Sequence, residues 1–177
     1  MRKIVYYVAT SIDGYIAGSN EDVSGFVPEG PVVDRYLQDL QSFDTVIMGR
    51  KTYEFGYKYG IEPGQVAYPH MMHYIFSNTI TFENPSEKVH VCSRNLDKVR
   101  ELKSQEGTDI YLCGGGEFAG WLLDNQLIDT LKVKLNPLIL GEGIRLFGSS
   151  NTQYKLTCTD VLNFDAGIHI MTYNIEY

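Results

Sequence analysis

Apolar positions along this chain change their period several times, and each change marks an element. Lys3 to Thr10 is a near-continuous β-branched and aromatic run, which predicts a strand buried on both faces. Ser11 to Gly30 then breaks into a glycine-rich loop, long enough to suggest a functional role. Val33, Tyr36, Leu37 and Leu40 recur at helical spacing and predict a helix over Val32 to Ser42. Thr45 to Met48 is a short buried strand that Gly49 ends, and Thr52 to Tyr59 reads as a helix or an irregular turn. His73 to Phe76 and Val89 to Cys92 are two further short strands. Asn95 is placed to cap a helix running to Gln105, with Leu96, Val99 and Leu102 on one face. Asp109 to Cys113 is again strand-like, and Gly116 to Asn125 again helical.

After residue 130 the period becomes two. Leu131, Val133 and Leu135 alternate with Lys132 and Lys134. Tyr154 to Phe164 and Gly167 to Tyr177 read as long strands joined through Asp165-Ala166-Gly167, a hairpin signal. Alternating strands and helices predict a mostly parallel sheet with helices on both faces. The last strands add an antiparallel edge. With 177 residues and no linker or repeat, a single domain over 1–177 is expected.

Composition narrows the partners. The formal charge of −7 argues against a general nucleic-acid footprint, although a local cationic pocket is compatible with it. No apolar run approaches the roughly 20 residues of a membrane span. The first apolar run reads as a strand rather than a leader, so a cytoplasmic protein is expected. Three cysteines, Cys92, Cys113 and Cys158, lie in strand-like stretches without metal-ligand spacing and are expected as buried reduced thiols. His70 and His73 lack a third ligand, so no metal is expected. His90 and His169 read as satisfied structural residues.

The sharpest chemical signal is Gly114-Gly115-Gly116 between a strand and a helix. Glycines there leave backbone N–H groups facing outward at a helix N-terminus, which suits a phosphate. Gly49-Arg50-Lys51-Thr52 and Ser77-Asn78 also follow strands. Alone, the first is equally an exposed cationic pair, and the second reads more readily as only a turn. Together, at neighbouring strand ends, they predict one anion-binding site, because ligands of such sheets sit beyond the carboxyl ends of the strands. The Rossmann and P-loop glycine patterns are both absent.

Val46 to Glu54 (VIMGRKTYE) resembles the dihydrofolate reductase signature around its second strand. Ser11 to Ala17 (SIDGYIA), Tyr111 to Phe118 and Pro137 to Phe147 resemble the reductase domain of bacterial riboflavin biosynthesis, the RibD C-terminal domain family. The resemblance runs nearly the whole chain. It implies a dihydrofolate reductase-like three-layer α/β/α fold and NADPH as hydride donor. By position it implies that Gly49, Arg50, Lys51 and Thr52 meet the cofactor phosphates and that Ser77 and Asn78 lie near the 2′-phosphate. Cys113 to Gly116 would wrap the pyrophosphate, one Gly–Gly peptide there being commonly cis. Glu117 and Phe118 would begin the helix behind it. Ala9 and Ile16 would line the nicotinamide, under the loop from Asp13 to Gly30.

The implied substrate is a small heteroaromatic ring, either dihydrofolate-like or the riboflavin precursor 5-amino-6-(5-phosphoribosylamino)uracil. The acid is the open question. Asp34 falls one residue from the position where folate reductases hold a carboxylate, and it equally complements the dipole of its own helix. Asp13 before Gly14 is either a loop-shaping residue or one near the reaction centre. Tyr53, Tyr57, Tyr59 and Tyr68 either line a ring-binding cleft or pack a core. The active-site tryptophan of folate enzymes is missing, and so are the zinc-deaminase ligands often fused to riboflavin reductases. A non-catalytic NADP(H) binder therefore remains the alternative to a reductase. A third reading is a homodimerising module built on the C-terminal strands, and a homodimer is expected in any case.

Overall fold

A computed structural model describes all residues 1–177. The chain runs β1 (Ile4–Thr10), β2 (Tyr15–Ala17), α1 (Pro31–Leu40), β3 (Thr45–Gly49), α2 (Arg50–Phe55), β4 (Met72–Phe76) and β5 (Val89–Cys92). It continues through α3 (Leu96–Ser104), β6 (Ile110–Gly114), α4 (Gly116–Asp124), β7 (Thr130–Leu135), β8 (Ile144–Arg145), β9 (Lys155–Asn163) and β10 (His169–Glu176). Eight strands form one sheet in the order β5-β4-β3-β6-β1-β7-β10-β9. The strands from β5 to β7 are mutually parallel, and β10 pairs antiparallel with both β7 and β9. The predicted parallel sheet with an antiparallel end is therefore present. The hairpin turns through Ala166, which takes a left-handed conformation at φ 58°.

The pleat sorts the apolar runs between two helical layers. Ile4, Tyr6, Ile47 and Leu112 face α3 and α4, where Val99, Leu102, Ala119 and Leu122 are buried. Val5, Tyr7, Val46, Met48 and Tyr111 face the other way, toward Val32 and Leu40 of α1 and Tyr53 of α2. Strands buried on both faces need near-continuous apolar sequence, which is what β1, β3 and β6 carry. The helices end where local chemistry ends them. Pro31 opens α1, since its ring presets φ and no N–H is needed there. Asn95 caps α3 by accepting the Asp97 N–H at 2.8 Å.

Three expectations are corrected. The segment from Ser11 to Gly30 is not structureless, because β2 pairs antiparallel with β8. Residues 50 to 59 split into the α-helix α2 and a 3-10 turn over Gly56–Tyr59. Cys158 is exposed, while Cys92 and Cys113 are half-buried. It lies on β9, an edge strand whose residues are almost all exposed, so strand-like sequence does not bury it. No helix is long and apolar enough to cross a membrane.

At the amino ends of the strands, opposite the cleft, Arg2 is buried and bonds Asp44, Thr45 Oγ1 (2.9 Å) and the Thr108 carbonyl. His73 is equally tied down. Its Nε2 accepts the N–H groups of Ala67 and Tyr68, both at 3.1 Å, while Nδ1 meets the Met71 carbonyl at 3.1 Å. That pattern requires the neutral ring, and burial lowers its pKa to about 4.

Candidate functional site

Parallel strands present all their carboxyl ends on one side, and a cleft of about 930 Å³ opens there. That lies at the upper end of the roughly 300–1,000 Å³ usual for small-molecule sites. By the order of the sheet it runs from the end of β5, past β4, β3, β6 and β1, to β7.

The glycines shape its middle. The Gly114–Gly115 peptide is cis, and Gly116 opens α4. The first-turn N–H groups of α4 have no carbonyl within the helix to bond, and the dipole adds positive potential. Side chains are crowded out of the start of this helix. A Cβ on Gly116 would lie 2.1 Å from the Arg145 carbonyl oxygen, and one on Gly115 would lie 2.9 Å from Thr52 Oγ1. Backbone thus approaches backbone here, which leaves a cradle for an anion rather than for a side chain.

Cations surround this cradle. Arg50, Lys51 and Thr52 line the cleft from the start of α2. Arg50 is only loosely held by Glu54, at 3.8 Å. Arg145 reaches the same wall because β8 pairs with β2, beside Ile16. Arg94 arrives from the end of β5. Its guanidinium lies 4.9 Å from the Trp121 ring centroid and donates to the Glu117 carbonyl at 3.0 Å. Sequence reasoning missed Arg94 and Arg145. Arg94 follows a strand end, the same signal that found Arg50; Arg145 depends on a strand pair that no local pattern announces.

The β1–β7 end is aromatic and apolar. Ala9, Ile16 and Ala17 line it together with Tyr7, Tyr36 and Tyr111. The hydroxyls of Tyr36 and Tyr111 meet at 2.5 Å, and the Tyr68 hydroxyl lies 3.6 Å from Cys113 Sγ. Burial raises the pKa of Tyr36, Tyr111 and Cys113, so all three are protonated at neutral pH. The tyrosines that line the cleft are therefore not those the sequence had gathered. Tyr53 is buried in the core and donates to the Gln65 carbonyl at 2.7 Å, with Tyr57 packed on its edge. Tyr59 is exposed, and Tyr68 stands behind Cys113. Tyr7 and Tyr111 sit inside buried strands, where sequence alone reads only core.

Of the residues expected at the site, Ala9, Ile16, Gly49, Arg50, Lys51, Thr52, Cys113, Gly115, Gly116, Glu117 and Phe118 line one cleft. Gly114 is buried just behind it. Ser77 and Asn78 do not line it. The Ser77 hydroxyl instead accepts the N–H groups of Thr79 and Ile80, both at 3.1 Å, which makes it a turn. Asn78 Oδ1 accepts the Arg94 N–H at 3.3 Å.

Neither carboxylate expected near the chemistry is on the cleft wall. Asp34 is exposed on the first turn of α1. Asp13 accepts the N–H groups of Leu140 (3.1 Å) and Gly141 (2.7 Å) and ties two loops together. The Ser11 hydroxyl and those amides hold its carboxyl down to about 2. The carboxylates that do line the cleft are Glu21, which pairs with Lys58 at 3.1 Å, and Glu117, which accepts the Ser149 hydroxyl at 2.8 Å.

Comparison with known proteins agrees with this geometry. Residues 2–170 match the family model described as the RibD C-terminal domain. Two Bacillus subtilis (strain 168) proteins, the uncharacterized YyaP and YwjB, are 25% and 28% identical. Those alignments cover 98% of this chain and 95% of YyaP, and 96% of each chain for YwjB. The structure of a putative riboflavin biosynthesis protein from Shewanella sp. PV-4 superposes with a TM-score of 0.81 at 22% identity, covering 99% of both chains. Enterococcus faecalis dihydrofolate reductase, solved with NADP(H), gives 0.67 at 16% identity over 99% of this chain and 97% of its own. The fold is that of the dihydrofolate reductases.

Proposed function

Because the chain belongs to the RibD C-terminal domain family, we propose that the cleft binds NADPH and that the protein reduces a small heteroaromatic substrate. The observation that carries this reading is one continuous cleft. It joins the glycine cradle of α4 and the cations Arg50, Lys51, Arg94 and Arg145 to an aromatic end built on β1, β6 and α1. A phosphorylated dinucleotide needs the first part, and a flat ring to be reduced needs the second.

The residues present fit the cofactor. The backbone cradle matches a pyrophosphate, since a Cβ on Gly116 would strike backbone and one on Gly115 would crowd the Thr52 hydroxyl. Arg94, fixed over Trp121, is placed for the 2′-phosphate in the role that Ser77 and Asn78 do not fill. Ala9 and Ile16 offer a small apolar surface for a nicotinamide ring. Bound there, NADPH would supply the hydride. Tyr36, Tyr111 and Phe55 would orient the substrate ring and keep water from it, which is the protein's share of such a reaction. The substrates favoured are 5-amino-6-(5-phosphoribosylamino)uracil and dihydrofolate. The absence of a free carboxylate on the wall favours the second reading, a binder without chemistry.

We further place the protein in the cytoplasm, in keeping with its three free thiols, and assign it a homodimer formed along β9. That edge strand exposes Leu156 and Val161 and leaves a row of backbone groups open to a second copy.

The test is direct. Quenching of Trp121, the only tryptophan, follows NADPH binding, and loss of reduced-cofactor absorbance follows turnover with each candidate substrate. Saturable binding with turnover is the expected result. Binding without turnover on either compound supports the binder, and no binding overturns both readings.

A further inference from the structure

The cleft wall holds a buried cation that the fold does not neutralise. Lys132 and Lys134 lie on the same face of β7. Lys132 Nζ meets Asp39 at 2.6 Å and lies 4.7 Å from the Tyr7 ring centroid. Lys134 is 9% exposed, lines the cleft and makes no ion pair. Its ammonium donates to the Val27 carbonyl at 3.1 Å, which leaves two of its three N–H groups without a protein partner. An ammonium held in this way, facing a cavity, is a group waiting for a partner.

Its location names the partner. Lys134 is in register with Ala9 on the parallel strand β1, so their side chains stand side by side on one face. Ala9 is the residue that the proposed reading places against the nicotinamide. Lys134 therefore adjoins the point where a reacting substrate atom must sit.

Chemistry separates it from its neighbours. Burial disfavours the charged form of every group. It makes the phenols of Tyr36 and Tyr111 and the Cys113 thiol weaker acids, and it makes the Lys134 ammonium a stronger one. The charges on neighbouring elements are engaged elsewhere or exposed. Arg35 and Asp39 of α1 are tied to each other, and Asp39 to Lys132. In the loop that supplies Val27, Glu21 pairs with Lys58, Asp22 accepts the Ser24 N–H, and Glu29 is exposed. From β10 the residue in register is Ile170.

Resting on the reductase reading, we propose that Lys134 is the acid of the reaction, the group that the carboxylates Asp13 and Asp34 do not provide. A hydride from the dihydronicotinamide of NADPH forms a C–H bond at the carbon of a substrate C=N group. The π pair moves to nitrogen, which takes a proton from Lys134 Nζ. NADPH is oxidised, the substrate is reduced by two electrons, and the neutral amine regains its proton from water at the cleft mouth. The ligand class is thus a substrate with a C=N group whose nitrogen points at β7, cyclic in dihydrofolate and the ring-opened imine of the glycosylamine in 5-amino-6-(5-phosphoribosylamino)uracil.

The test compares wild type with K134M and K134R, using NADPH with dihydrofolate and with 5-amino-6-(5-phosphoribosylamino)uracil. Arginine keeps the charge and gives up no proton, since its pKa exceeds about 12. Both variants should bind NADPH within about threefold of wild type and lose about 100-fold or more in kcat with little change in KM. The wild-type rate should fall as pH rises through the Lys134 pKa, and methylammonium should restore turnover to K134A. In the unliganded wild type, the Lys134 Nζ resonance, followed by NMR of lysine-labelled protein, should titrate below the other lysines. This last measurement needs neither substrate nor a folded variant. Titration with the other lysines overturns the proposal, as does kcat within about threefold in K134M. Retained kcat in K134R with loss in K134M also overturns it, and makes Lys134 an anchor for a substrate anion. A wild type that binds no NADPH, or that binds it and turns over neither compound, overturns the reductase reading and this proposal with it.

Discussion

Asn78 Oδ1 accepts the backbone N–H of Arg94 at 3.3 Å, and this bond joins the ends of β4 and β5 at the rim of the cleft. The Arg94 guanidinium lies over Trp121, where the proposed reading puts a phosphate. Arg94→Ala is expected to weaken NADPH by about tenfold, the scale of one charge-assisted hydrogen bond in partly solvated surroundings, and to leave NADH within about twofold. Trp121 quenching titrations with both cofactors check this. Equal weakening of the two would move the 2′-phosphate to Arg50, whose replacement by Ala should then carry the difference.

Gly115 and Gly116 should respond differently to one added methyl. At Gly116 the new Cβ meets a backbone carbonyl at 2.1 Å, so β8 or α4 must shift, and Gly116→Ala should lose roughly 1–3 kcal/mol of stability or more. At Gly115 the obstacle is the Thr52 hydroxyl at 2.9 Å. Gly115→Ala should fold nearly normally and lose cofactor affinity. Urea unfolding and NADPH titration separate the two; a stable Gly116→Ala would contradict the packing described.

Asp34→Asn is expected to leave NADPH affinity and kcat within about threefold of wild type, since Asp34 is exposed outside the cleft. Asp13→Asn should instead loosen the tie to Leu140 and Gly141 and lower the melting temperature. A collapse of kcat in the Asp34 variant, at unchanged melting temperature, would return that carboxylate to the chemistry.

His73 predicts a pH effect on stability. Its folded pKa of about 4 lies below the ordinary 6.5. The unfolded chain therefore binds the proton more readily, and stability rises with pH between those values. The contribution is complete above about pH 6.5 and is lost as pH falls toward 4, on the order of 3 kcal/mol over the interval. Urea midpoints from pH 7 to pH 4.5 should show this slope in wild type and a smaller one in His73→Gln.

The β9 edge predicts an assembly change. Val161→Lys places a charge on a side chain that is 42% exposed in the single chain. It should convert a homodimer to a monomer in light scattering while leaving the melting transition cooperative. A wild type that is already monomeric removes the dimer assignment.

The central sheet was legible because burial on both faces forces continuous apolar runs, and β1, β3 and β6 show them openly. Arg50, Lys51, Thr52 and the glycines were legible for a related reason. They directly follow strands, and a parallel sheet brings every strand's carboxyl end to the same side. Chain order alone therefore placed them together. The β2–β8 pair was not legible, since strands of three and two residues carry too little pattern. With it went Arg145, which depends on that pairing.

What the sequence determined by itself was the order of the helices and of the strands in the main sheet, and the glycine turn between β6 and α4, because both rest on periodicity and on glycine in local turns. Only the tertiary structure decided which polar groups remain free. Ser77 turned out to serve its own turn, and Asp13 to bind the 140–141 loop. Lys132 found Asp39, across a sequence separation of 93, while Lys134, two positions on, found no carboxylate. Pairing between such distant residues depends on how layers dock, and no local pattern records it. The reactivity proposed for the cleft rests on that docking, since a charge matters most where burial is deep and no partner has been supplied.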